Sequence, residues 1–122
     1  MEPIGDRIIM VPENEELARL RHPTSGFIAY VPPGSVARGK ELVETGGDRT
    51  VTCSICHGDG VKGAGNTPRL AGMHPIYTVR QLHWFKDGTR NGLDAGLMAD
   101  VVASLTDEDI VAISAYLGSL EP

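Results

Sequence analysis

The sequence predicts an all-α domain of three principal helices joined by long loops, preceded by an irregular N-terminal extension. Apolar residues recur at helical spacing in three separate stretches, each bounded by capping or breaking residues. Glycine is abundant, at 15 residues, and concentrates between those stretches. Aromatic residues make up only 5% of the chain, so the core is short of large side chains. At 122 residues the chain suits one domain, and small domains often need a staple or a bulky group to complete the core.

Residues 1–34 carry prolines at positions 3, 12, 23, 32 and 33, which fix φ and remove backbone donors, so long regular elements are not expected there. Within them IIMV and FIAYV read as short strands and residues 13–20 as a helical turn. The segment is expected to wrap, or lead into, a domain spanning 35–122. Ser35 opens SVARGKELVETGG as an N-cap, Val36, Leu42 and Val43 give a modest apolar face, and Gly46 with Gly47 makes a stop. Gly39 lies inside this helix, where glycine costs about 1 kcal/mol relative to alanine. Close packing of another helix against its bare backbone would explain it, and a tolerated surface glycine would equally.

Residues 58–74, GDGVKGAGNTPRLAGMH, hold five glycines and one proline and read as loop. Pro75 then opens PIYTVRQLHWFKDGTR, whose Ile76, Val79, Leu82 and Phe85 form a helical stripe ended by Gly88 or Gly92. RNGLDAGLM reads as a second glycine-rich loop and ADVVASL as a short helical turn. The last element is the clearest. Thr106 caps a helix with Asp107, Glu108 and Asp109 in its first turn, where negative charge meets the positive end of the helix dipole. Ile110, Ile113 and Leu117 form its buried face, and Gly118 marks its end. Long loops of this kind are uncommon in compact domains unless they serve a site.

A formal charge of −5, spread along the chain without a basic patch, argues against nucleic acid as a partner and suits a partner with basic surface. No stretch approaches the roughly 20 apolar residues of a membrane span, so no integral membrane segment is expected. The N-terminus, MEPIGDRIIMVP, lacks the charged start, apolar stretch and cleavage site of a secretory signal.

Cys53 and Cys56 are the only cysteines, and they sit in CSICHG directly before His57. Three chemistries use that spacing. A thioredoxin-like redox pair needs a strand before it and a helix after it, and the surrounding sequence offers no such α/β pattern. Zinc needs four ligands in a structural site, and His22, His74 or His83 would have to complete a set for which none has a paired motif. Cys-x-x-Cys-His is also the attachment pattern of c-type haem. Each thiol adds across one vinyl group of the porphyrin, and the next residue turns its imidazole toward the iron. A methionine thioether is the natural sixth ligand beside histidine. Met1 is terminal and Met10 lies in the extension; Met73 and Met98 remain, both in glycine-containing loops. Met98 is preferred, because the loop and helix between it and His57 can cross to the other haem face.

With these pieces in place, residues 36–120 resemble a class I c-type cytochrome, most like one half of the bacterial two-haem cytochromes. CSICHG, PRLAG at 68–72, YTVRQLHWFKDGTR at 77–90, Met98 and LTDEDIVAISAYL at 105–117 carry the resemblance in order and spacing. It implies the cytochrome c fold around one covalent haem c, thioether bonds from Cys53 and Cys56, and axial ligation by His57 and Met98. It implies that the Pro68 carbonyl takes the other imidazole N–H, and that Leu70, Tyr77, Gln81, Leu82 and Phe85 line or support the pocket. Gly39 would be the crossing point of the first and last helices, against Tyr116 or Leu117.

The chain departs from the family pattern in three places. Several more residues, including GGDRTVT, separate Gly39 from Cys53; Met73 stands where glutamine is more usual, leaving Met73 and His74 as competing ligands; and residues 1–34 lie outside the core fold. The function implied is transfer of one electron between donor and acceptor proteins, without substrate turnover, in the periplasm after export, the signal peptide being absent from this chain. The alternatives are a haem domain of a larger dehydrogenase or oxidase, and a ligand-binding or peroxide-reactive haem protein if Met98 leaves the iron.

Overall fold

A computed structural model describes residues 4–21, 26–93 and 95–122. In chain order the elements are strand β1 (Ile9–Pro12), helix α1 (Glu15–Arg19), strand β2 (Phe27–Tyr30) and helix α2 (Ser35–Thr45). Then come the one-turn α3 (Ser54–His57), a 3₁₀ turn at Asp59–Val61, α4 (Pro75–Asp87), α5 (Ala95–Val102) and α6 (Asp107–Ser119). The three long helices are the ones the apolar spacing predicts. The two expected strands form an antiparallel pair with Ile9 opposite Tyr30 and Pro12 opposite Phe27. Between them Asn14 caps α1 by accepting from the Leu17 amide at 3.1 Å. Met1 and His22 lie outside the described residues.

The core forms where α2 crosses α6. A Cβ at Gly39 would stand 1.9 Å from the Ala112 carbonyl oxygen and 2.8 Å from the Tyr116 Cβ, so only glycine lets the two backbones approach this closely. Leu42 and Val43 from α2 and Ile110, Ile113 and Leu117 from α6 are buried around the crossing. Each such aliphatic side chain stabilises the fold by about 1.5–3 kcal/mol on leaving water. Thr106 and Asp109 complete a reciprocal capping box at the start of α6, with amide–oxygen distances of 3.2 and 3.0 Å.

Asp109 does more than the first-turn acid that the sequence suggests. Its carboxylate is fully buried, accepts from Arg38 at 2.6 Å and lies 3.4 Å from Arg49. Burial by itself raises the Asp109 pKa, but hydrogen bonds from Thr106 and Arg38 and the charge of Arg49 outweigh it, leaving the carboxyl below its ordinary value.

Several boundaries differ from the sequence reading. Gly34, with φ +79°, is the N-cap of α2, and Ser35 is its first residue, its hydroxyl donating to the Pro32 carbonyl at 2.6 Å. The paired prolines bring that carbonyl within reach, so the serine bonds backward rather than capping forward. Gly118 does not end α6, which runs on to Ser119. A Cβ there would meet the Pro75 ring at 2.5 Å, so this glycine marks the approach of α4 to α6. Ile76 is exposed, because α4 turns Pro75 and Thr78 inward and lays Val79, Leu82 and Phe85 on the core edge. Gly88, with φ +82°, ends α4. Residues 95–98, expected as loop, belong to α5, so Met98 is a helical residue. Burial of Val102 against the core anchors that helix despite the glycine at 96.

Candidate functional site

Cys53 follows directly on the return of the chain to α2, where its amide donates to the Val43 carbonyl at 3.0 Å. The His57 amide then donates to the Cys53 carbonyl at 3.0 Å, closing one helical turn that carries Cys53, Cys56 and His57. Positions i and i+3 of such a turn share a face, which places both sulfurs on one side of α3. Cys53 is half-buried and Cys56 exposed. Burial pushes the Cys53 thiol up to about 11, opposed by a backbone hydrogen bond and assisted by Cys56. A thiol held in its protonated form is a poor exchange nucleophile, and among the described residues the turn lies between helices and loops rather than in the α/β framework of a redox pair.

The loop after His57 folds back on itself to hold the imidazole. The Gly63 amide donates to the His57 carbonyl at 2.8 Å, and the Leu70 and Ala71 amides both donate to the Val61 carbonyl, at 2.8 and 3.0 Å. Gly58 makes this closure possible: its φ of 81° and ψ of 172° suit glycine alone, and a Cβ would sit 2.7 Å from the Gly63 carbonyl oxygen. The folded loop presents the Pro68 carbonyl to the ring of His57 at 2.8 Å from Nδ1. A carbonyl only accepts, so Nδ1 carries the proton and the lone pair of a neutral ring lies on Nε2. The histidine is 6% exposed, and among the described residues Nε2 has no hydrogen-bond partner.

Met98 packs on the edge of the core from α5, and His57 and Met98 lie close together. Met73 is engaged elsewhere, with its sulfur 3.9 Å from an Arg69 guanidinium nitrogen. His74 sets its ring edge-on to Phe27, at 5.7 Å between centroids. Of the expected pocket residues, Leu70, Leu82 and Phe85 pack against the core, whereas Tyr77 is 46% exposed. Gln81 accepts from Arg90 at 2.7 Å, and the same guanidinium lies 4.6 Å over the Phe85 ring. Arg90 was not singled out by sequence reasoning, since a cation just beyond a helix end carries no local sign of its target.

The donor set fits a covalent haem: two thiols on one turn, a buried imidazole with its lone pair on Nε2, and a thioether on a nearby helix. Among the described residues no group of three or more His, Cys, Asp and Glu side chains gathers in a way that could hold a metal ion, so the zinc reading lacks its ligands.

A helical fold with this motif on a turn against its core defines a c-type haem protein. The family model for cytochrome c matches residues 36–121, and the chain belongs to that family, whose domain binds haem c. It is 31% identical to cytochrome c4 of Stutzerimonas stutzeri over 127 aligned residues, covering 98% of this chain and 57% of that protein. Cytochrome c-554(548) of Halomonas halodenitrificans is 40% identical over 77 residues, which cover 62% of this chain and 93% of that protein. The solved structure of reduced recombinant cytochrome c4 from Pseudomonas stutzeri superposes with a TM-score of 0.63 at 35% identity, covering 75% of this chain and 51% of that chain. The chain thus spans about half the length of the cytochrome c4 relatives it matches, and it covers one haem domain. Among the described residues no helix is long and apolar enough to cross a membrane.

Proposed function

We propose that this chain is a single-haem electron carrier, with haem c joined through Cys53 and Cys56 and its iron held by His57 and Met98. When bound, the haem supplies an iron that alternates between ferrous and ferric states. The observation that carries the reading is the hydrogen bond from His57 Nδ1 to the Pro68 carbonyl, at 2.8 Å, on a turn that also bears both thiols. It fixes the ring with Nε2 free to serve as a ligand and raises the basicity of the ring. Met98 would supply the thioether as the second protein ligand, and an iron so held by two side chains would exchange one electron with little rearrangement and turn over no substrate.

Leu70, Tyr77, Gln81, Leu82 and Phe85 shield or support the group. The exposed Cys56 and the neighbouring Ile55, 74% exposed, form the edge at which donor and acceptor proteins meet the chain transiently. Residues 1–34 serve as an extension to the haem domain at 35–122. The cytochrome c resemblance implies a periplasmic location, since covalent haem is assembled on the outer side of energy-transducing membranes.

A spectroscopic redox titration of the holoprotein tests the reading. A single reversible one-electron transition, with a ferrous spectrum unchanged by carbon monoxide, is the expected result. Prompt carbon monoxide binding or turnover of peroxide would instead show an open iron and favour a ligand-binding haem protein.

A further inference from the structure

We propose that Thr50 is a positioning residue for Met98, gripping the end of α5 from the loop that lengthens the path between Gly39 and Cys53. The proposal rests on the reading of Met98 as the sixth ligand and adds to it the device that holds the thioether in place. It explains a segment, GGDRTVT, that departs from the usual family pattern and that the proposed haem ligation leaves without a role.

The loop is tightly wound onto the end of α2. Gly46 closes the helix in the left-handed conformation, and the amides of Arg49 and Thr50 both donate to its carbonyl, at 2.9 and 3.0 Å. A Cβ on Gly46 would stand 2.1 Å from the Thr50 carbonyl oxygen, so the curl depends on glycine at that position. Further along, the Thr52 hydroxyl donates to the Glu44 carbonyl at 3.3 Å and the Cys53 amide to that of Val43 at 3.0 Å.

From this fixed base two side chains reach outward. Arg49 lies 3.4 Å from the buried carboxylate of Asp109 at the start of α6. Thr50 donates its hydroxyl proton to the Val101 carbonyl at 2.8 Å. The last four carbonyls of a helix have no partner within it, and Val101 lies in the last turn of α5. Thr50 therefore supplies a bond that α5 cannot make for itself, one turn beyond Met98.

At the other end of α5 the bond among the described residues is local, from the Ala95 amide to the Gly92 carbonyl at 3.0 Å. Gly92 and Gly96 face open space, and Leu93 and Leu97 are exposed. The position of the thioether accordingly depends on the C-terminal end, where Thr50 and the buried Val102 hold it. Because the same loop delivers Cys53, the covalent anchor and the methionine helix are registered against one base.

The test uses ferric holoprotein carrying Thr50→Val or Thr50→Ser, with Thr50→Ala as a second variant should the valine form fail to fold. Cyanide binding reads how readily Met98 leaves the iron, and amide hydrogen exchange at residues 99–102 reads the hold on α5 without reference to the iron. Loss of one hydrogen bond is expected to raise both cyanide affinity and α5 exchange about fivefold, from a net ~1 kcal/mol per bond. Amides of α6 should be unchanged, and Thr50→Ser should restore both readings to within about twofold, because it keeps the same bond. Unchanged exchange in α5 on losing the hydroxyl would overturn the grip. Faster exchange with unchanged cyanide affinity would overturn the link to Met98. In that case the spectrum of Met98→Leu identifies the fault: if it keeps the thioether–iron band the ligand assignment fails, and if it loses the band only the positioning role fails.

Discussion

His57 and Met98 sit on segments held in opposite ways. The loop at 58–72 is closed by backbone hydrogen bonds from Gly63, Leu70 and Ala71, and its carbonyl at Pro68 fixes the plane and tautomer of the imidazole. Met98 sits on the short helix α5, held at its C-terminal end by Thr50 and Val102, with Gly92 before it and Gly96 in its first turn facing open space. An imidazole must be aimed in plane and protonation, so it needs a surround that leaves one geometry. A thioether on a flexible side chain needs only to be brought within reach, so a helix registered at one end suffices. The comparison predicts that small changes on the histidine side damage the fold, while the same changes on the methionine side are tolerated.

The largest effect is expected at Gly58. Alanine there would place a Cβ 2.7 Å from the Gly63 carbonyl oxygen in a conformation that suits glycine alone. Denaturant unfolding of Gly58→Ala should show a loss of about 3 kcal/mol, and a loss below about 0.5 kcal/mol, the usual range of an unremarkable surface change, would remove the rigid-loop half of the comparison.

Asp109, where Arg38 from α2 and Arg49 from the Thr50 loop converge, should come next. Removing one partner of a fully buried ion pair costs about 3–5 kcal/mol, but both arginines are roughly half exposed, so Asp109→Asn should cost about 2 kcal/mol at neutral pH. The folded carboxyl titrates below its unfolded value of about 3.9. The stability it contributes is therefore complete above about pH 4 and lost as pH falls through the folded value. Urea midpoints of the two proteins should converge in acid; a constant gap down to pH 2 would show that the charge is not what matters.

The smallest effect, of opposite sign, belongs to Gly96. It lies within α5 with nothing near its missing side chain, so Gly96→Ala should stabilise the protein by about 0.5–1 kcal/mol. Thermal unfolding would show it, and a drop in midpoint would mean that the methionine side is as tightly packed as the histidine side.

How much of this was legible in the sequence follows from the range of each interaction. CSICHG was readable because attachment of two thiols and an imidazole to one group demands a fixed local spacing. The last helix was readable because Thr106 and its acids form a cap within four residues and Ile110, Ile113 and Leu117 keep one face. Gly39 carried an ambiguous local signal, which the resemblance to a known family turned into a helix crossing.

GLDAGLM reads as a glycine-rich loop, whereas Met98 is helical because burial of Val102 anchors the segment. The pairing of Asp109 with Arg38 spans 71 positions and that of Thr50 with Val101 spans 51, and contacts at such separations leave no periodic trace in one sequence. GGDRTVT could be read as a loop before Cys53, but the bond from its Thr50 to Val101 could not.

The central claim is that His57 and Met98 together hold the iron, and the visible–red absorption spectrum of the ferric holoprotein tests it most directly. The thioether–iron charge-transfer band should be present in the parent protein and in Met73→Leu, and absent in Met98→Leu. A band that survives in Met98→Leu, or that disappears in Met73→Leu, would contradict the account.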